Sequence, residues 1–185
     1  MPNWCNNSIT ISGSTESLKD LWESAQESKG LLSAIRPMPK ELEDTTSPAP
    51  QDGSQPMVDG FDNWYDWRNA NWGTKWDVDL EGLEFTDNGD GTATIAGWFD
   101  SAWAPPIEAY EQFADDFDSC YLEAFYHETG MCFVGCWDSE GGNDYFEYGD
   151  IEGTDAIEEA MPVYLNEAFG ITEDMRMWEE QEEMA

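Results

Sequence analysis

The chain has 185 residues with 41 acidic and 7 basic side chains, a formal net charge of −34, yet 40% of its residues are hydrophobic and it carries ten Trp, nine Phe and seven Tyr. That apolar content excludes a disordered polyanion, because it supplies enough surface to bury against the cost of ordering the chain. The charge excludes DNA, RNA and anionic membranes as partners and favours basic proteins, nucleic-acid-binding enzymes and cations; at a radius of gyration of about 16 Å, roughly two Debye lengths at physiological salt, the charges act together.

Residues 8 to 12 alternate, Ile9 and Ile11 against Ser8, Thr10 and Ser12, which predicts a half-buried strand ending at Gly13. A helix from Ser14 or Thr15 follows, with Leu18, Leu21, Trp22 and Ala25 on one stripe and Gly30 at its end. Leu31, Leu32 and Ile35 read as a short packed segment, and the Pro/Ser/Thr/Asp-rich stretch from about 43 to 60 as a loop. Next comes the densest aromatic cluster, Trp64 to Trp76, which leads into Trp76, Val78 and Leu80 alternating with Asp77, Asp79 and Glu81. That alternation predicts the second strand, with the three acids outward.

Asp87-Asn88-Gly89-Asp90-Gly91 is turn chemistry, and Thr92 to Phe99 returns as a hairpin strand. The run also has the flavour of a calcium loop, but it lacks the closing glutamate of an EF-hand. After Pro105-Pro106 a helix presents Ile107, Tyr110, Phe113, Ala114 and Phe117 on one face and Glu108, Glu111, Gln112 and Asp115 on the other. Tyr121 to His127 reads as a fourth strand, with a further hairpin from Met131 to Trp137 and Asp144 to Tyr148. The order βαββαβ plus a hairpin predicts an α+β class: a ferredoxin-like antiparallel sheet with helices on one face, over residues 1–150. Residues 151–185 form an acidic helical C-terminal extension in which Pro162 kinks or restarts a helix, and a last helix from Thr172 is expected to fray at Glu179–Glu183, where the acids oppose the macrodipole.

Four segments carry a family resemblance: Met1-Pro2-Asn3-Trp4-Cys5-Asn6-Asn7 with the strand after it, Ile35-Arg36-Pro37-Met38-Pro39-Lys40-Glu41-Leu42, the Trp64 to Trp76 run, and Ser101-Ala102-Trp103-Ala104-Pro105-Pro106. Together, over roughly residues 1 to 140, they resemble the YubB-like ferredoxin-like domain of phage and plasmid proteins. The resemblance implies a ferredoxin-like fold and an origin on a phage or other mobile element. It implies no catalytic residues.

The candidate chemistry is sparse. Cys132 and Cys136 are spaced C-x-x-x-C on a strand and read, with Cys5 and Cys120, as buried free thiols of a reduced cytosolic protein; no metal or cofactor is expected. His127 is the single histidine, and no serine or cysteine sits in a nucleophile-elbow context, so the chain reads as a non-enzyme. Arg68 and Lys75, among Trp64, Trp67 and Trp72, suggest a ligand pocket for an anion, or else ion pairs with Asp66, Asp77 or other carboxylates around a closed core end.

The acidity carries the leading expectation. Between Lys75 and Arg176 there are 100 residues with 26 acids and no lysine or arginine. Carboxylates on alternate strand residues (Asp77, Asp79, Glu81) lie about 6.5 Å apart, and those three or four apart on a helix (Glu108, Glu111, Asp115) about 5 to 6 Å. Both spacings approximate that of phosphates along one nucleic-acid strand. With Asp118, Glu152, Asp155, Glu158 and Glu159 they form a candidate surface for a basic groove.

The expected function is a phage-encoded nucleic-acid mimic that inhibits a host nuclease or CRISPR-type defence effector. The N-terminus has no signal-peptide character, so host cytoplasm is the expected location, with no direct nucleic-acid or membrane contact and a homo-oligomer left open. The alternatives are a structural or scaffold protein whose charge only solubilises it or adapts it to salt, and a small-ligand binder using the aromatic cluster.

Overall fold

Ser14 marks the handover from the first strand to the first helix. In the computed structural model, which describes residues 2–184, β1 (Trp4–Ser14) is followed at once by α1 (Thr15–Ser28). The Ser14 hydroxyl accepts a 3.1 Å hydrogen bond from the Ser17 amide, satisfying one of the orphan N–H groups of the first turn. Lys29 then takes a left-handed φ of 61°, and α2 (Leu31–Ile35) begins after Gly30. A 3-10 turn at Lys40–Leu42 precedes the long polar loop, and α3 (Trp64–Trp72) starts where the Asn63 side chain accepts from the Asp66 amide. The order continues through β2 (Leu83–Asp87), β3 (Thr92–Ala102), α4 (Ile107–Asp116), β4 (Tyr121–Glu128), β5 (Phe133–Asp138) and β6 (Gly142–Glu147). It ends with α5 (Thr154–Ala160), α6 (Val163–Phe169) and α7 (Ile171–Glu183).

The strands form one sheet in the order β2-β3-β1-β4-β5-β6, every neighbouring pair antiparallel. The first four, with α1 and α4 as crossovers, have the ferredoxin-like order, and the β5–β6 hairpin extends the sheet beyond β4. Register explains the core: Ile11 lies opposite both Ile95 and Leu122, and Ile9 opposite Ala124, so a period of two puts them all on one face. Leu18, Leu21 and Ala25 of α1 and Ala109, Tyr110 and Phe113 of α4 bury that face, and the Tyr110 ring lies 5.5 Å from that of Trp137.

The opposite face is decided by the C-terminal extension. Val134 and Cys136 of β5 point away from α4, and a second cluster of Tyr148, Ile157, Met161, Leu165 and Ile171 buries them. The extension therefore packs on the sheet, making a third layer over β4 and β5. Pro162 does not kink a continuous helix but serves as the residue before α6, where its missing N–H costs nothing.

Two expectations are corrected. Residues 76 to 81 are not a strand: β2 starts only at Leu83, and although Val78 is buried, its carbonyl accepts from the Leu31 amide of α2 rather than from a neighbouring strand. Nor does Cys132 lie on a strand as a buried thiol: it sits in the turn before β5 with a left-handed φ of 56° and is half-buried. The acidic end of α7 is helical through Glu183, where glutamate is itself a good helix former and Thr154 donates a hydrogen bond to the Glu179 carboxylate.

Candidate functional site

The eleven candidate carboxylates fall into three groups with different fates. Asp77, Asp79 and Glu81 lie in the irregular segment before β2, so their expected strand spacing is lost. Asp77 turns toward α2, where its oxygens accept from the amides of Leu32 at 2.8 Å and Ser33 at 3.1 Å, and from its own neighbour Val78 at 2.8 Å. It replaces the cap that Gly30 cannot supply, and a Cβ on Gly30 would come within 2.2 Å of the Asp77 carboxylate. Asp77 is therefore a structural residue, whereas Asp79 and Glu81 stay exposed. Asp77→Ala is expected to cost about 1–3 kcal/mol of stability, and Asp79→Ala under about 0.5 kcal/mol, in parallel urea titrations.

The second group sits on α4. Glu108, Glu111 and Asp115 are exposed at i, i+3 and i+7 along one face, and Asp118 follows just beyond the helix, also exposed. Asp115 and Asp116 occupy the last turn, which contains no basic residue, so they oppose the negative end of the helix dipole. Among the described residues none of these carboxylates lies within 4.0 Å of a basic side chain.

In the third group, Glu152 and Glu159 are exposed and unpaired among the described residues, while Asp155 and Glu158 both hold Arg176. The Arg176–Asp155 contact is 3.0 Å, and hydrogen bonds from Arg176 keep the Glu158 carboxyl below the ordinary carboxylate range. This contact ties α5 to α7 and offsets one of the two carboxylate charges, both side chains staying exposed. Of the eleven candidates, the ones that share a face without a basic neighbour are those of α4 and its flank, with Asp79, Glu81, Glu152 and Glu159 as separate exposed points.

The aromatic cluster is organised by α3. Trp67 and Trp72 are buried and meet edge to face at 5.7 Å, and the Trp72 indole N–H donates to the Arg36 carbonyl at 2.8 Å. Trp64 stays half-buried on the helix, and Trp76, beyond its end, lies beside Trp4 with the rings tilted by 38° and their centroids 5.8 Å apart. The expectation that Arg68 and Lys75 pair with Asp66 or Asp77 is overturned: among the described residues neither has a carboxylate within 4.0 Å. Asp77 is spent on α2 and Asp66 accepts from the Asn63 side chain at 2.8 Å. The cations instead lie over rings, Arg68 between Trp64 (5.2 Å) and Trp72 (4.9 Å), and Lys75 over Trp76 (4.4 Å).

Two groups of residues escaped the sequence reading. Glu128, buried at the end of β4, accepts from the amides of Gly130 and Met131 and so shapes the β4–β5 turn. Lys29 and Lys40, distant in sequence from α3, line one cavity of about 440 Å³ together with Arg68. Nothing in their local sequence marks them; only the packing of α1, the 3-10 turn and α3 brings them together. Among the described residues there is no group of three or more His, Cys, Asp and Glu placed to hold a metal ion, and no helix is long and apolar enough to cross a membrane.

A model of the family described as "Ferredoxin-like domain in Api92-like protein" matches residues 72–181. Among solved structures, the crystal structure of a protein api92 from Yersinia pseudotuberculosis is 23% identical, with a TM-score of 0.34, over 50% of this chain and 32% of that one. The chain thus spans about a third of that protein's length. No curated protein matches.

Proposed function

We propose, for a chain that belongs to the family of ferredoxin-like domains in Api92-like proteins, a non-enzymatic role: an anionic inhibitor that imitates nucleic acid and blocks a host DNA- or RNA-binding protein. The observation that carries this reading is the lack of internal neutralisation. Among the described residues only Glu23, Asp155 and Glu158 lie within 4.0 Å of a basic side chain, in a chain with 41 acids. A structural protein gains solubility from a far smaller excess, whereas a decoy needs carboxylates left free and held rigidly.

The body on which they stand supports the reading. Glu108 and Glu111 are three residues apart and Glu111 and Asp115 four, on a helix anchored through Ala109, Tyr110 and Phe113. That places Cβ atoms about 5–6 Å apart, close to the spacing of successive phosphates. A protein built to grip a polynucleotide backbone meets a comparable row of anions and releases the cations that surround them, as it does from phosphates. The resemblance to YubB-like phage and plasmid proteins supports an origin on a mobile element; with that origin, the free carboxylates favour a defence nuclease or CRISPR-type effector as the target class and the host cytoplasm as the place of action.

The test is competition. A basic host protein recovered on the immobilised chain at low salt is expected to be displaced by duplex DNA, with an apparent affinity that falls steeply as NaCl rises from 50 to 200 mM. Capture that DNA does not displace would overturn mimicry. Failure to retain any basic protein at low salt would return the charge to a merely solubilising role.

A further inference from the structure

We propose that the cavity between the C-terminal end of α1, the 3-10 turn at Lys40–Leu42 and α3 binds a phosphate-class oxyanion. The composition makes this cavity exceptional: Lys29, Lys40 and Arg68, three of the chain's seven basic side chains, line one space of about 440 Å³. That volume lies within the range of roughly 300–1,000 Å³ seen for small-molecule sites. The wall also holds Glu43 and Asp77, so the lining carries one net positive charge in a molecule of −34. Both Asp77 oxygens already accept backbone amides, which leaves them poor competitors for the cations.

Arg68 is the anchor. Its guanidinium carbon lies 5.2 Å from the Trp64 ring and 4.9 Å from the Trp72 ring, which fixes its plane. Its Nε–H is buried without a hydrogen-bond partner in the protein. That atom is closed to water, so an incoming oxyanion meets instead the terminal guanidinium nitrogens, which make no ion pair among the described residues and belong to a cation whose plane is fixed. Burial pulls the Arg68 pKa down while Asp77 and Glu43 push it back up, and a guanidinium stays charged in either case. Lys29 and Lys40 are exposed at the rim, free to close on a ligand from the solvent side.

This site is independent of the carboxylate surface on α4, and its test does not depend on any protein partner. Isothermal titration of the full chain with inorganic phosphate, and separately with adenosine monophosphate, is run in 0.15 M NaCl, where screening limits repulsion by the rest of the surface. The expected result is saturable binding at one site, weakened at least tenfold in the double variant Lys29→Ala/Lys40→Ala, whose two exposed side chains can be removed without disturbing the core. Arg68→Gln is expected to abolish binding, with circular dichroism confirming the fold. Equal affinity for both probes assigns the anion alone as ligand, and tighter binding of the monophosphate ester assigns a nucleotide. No saturable heat with either probe, or an affinity unchanged in the folded double-lysine variant, overturns the proposal.

Discussion

Glu108→Gln/Glu111→Gln/Asp115→Asn is expected to leave the protein folded while weakening its hold on a DNA-competed partner by about a hundredfold at 0.1 M NaCl, taking roughly 1 kcal/mol for each charge facing a basic groove. The fold is expected to survive because all three side chains are exposed and make no ion pair among the described residues. Removing them also relieves self-repulsion, while the clash with the helix dipole relieved at Asp115 and the favourable first-turn charge lost at Glu108, each a few tenths to about 1 kcal/mol, offset one another. The variant is therefore expected to be as stable as the parent or slightly more so, which separates loss of binding from loss of structure. The slope of log affinity against log salt is expected to become shallower in the same variant, since fewer counterions are released. An unchanged slope with unchanged affinity would move the binding face away from α4.

Trp72→Ala is expected to lower stability by about 3–5 kcal/mol, a large share of the roughly 5–15 kcal/mol of a typical domain. Trp72 is 1% exposed and packs edge to face on Trp67. Truncation leaves a cavity, deprives the Arg36 carbonyl of its 2.8 Å donor and removes one of the two rings that hold Arg68. Urea unfolding followed by circular dichroism measures the loss, and a change below about 1 kcal/mol would show that α3 is not an integral part of the core. Trp64→Ala, which deletes a half-buried ring on the same helix, is the matched control, with an expected cost of under half that of Trp72→Ala.

The candidate site was legible in proportion to how local its causes are. Glu108, Glu111 and Asp115 could be read as one exposed row because a helix of period 3.6 fixes which residues share a face, and the apolar stripe of α4 named the opposite one. Asp77 could not be read correctly. Its alternation with Val78 is the pattern of a half-buried strand, but the amides that claimed its carboxylate belong to α2, more than forty residues earlier. Arg68 was visible as a cation among tryptophans, but whether it met a carboxylate or a ring depended on where Asp66 and Asp77 had already been spent.

Periodicity, turn residues and charge were enough to establish a folded α+β chain of ferredoxin-like order, the polar loop after the first helices and a surface dominated by carboxylates, because each of these rests on neighbours within a few residues. Tertiary packing alone assigned the C-terminal helices to the second face of the sheet, turned Asp77 onto α2, set Arg176 against Asp155 and Glu158, and gathered Lys29, Lys40 and Arg68 around one cavity. Those outcomes turn on which of several chemically equivalent partners comes within about 4 Å, and the folded chain makes that selection across distances that no local pattern encodes.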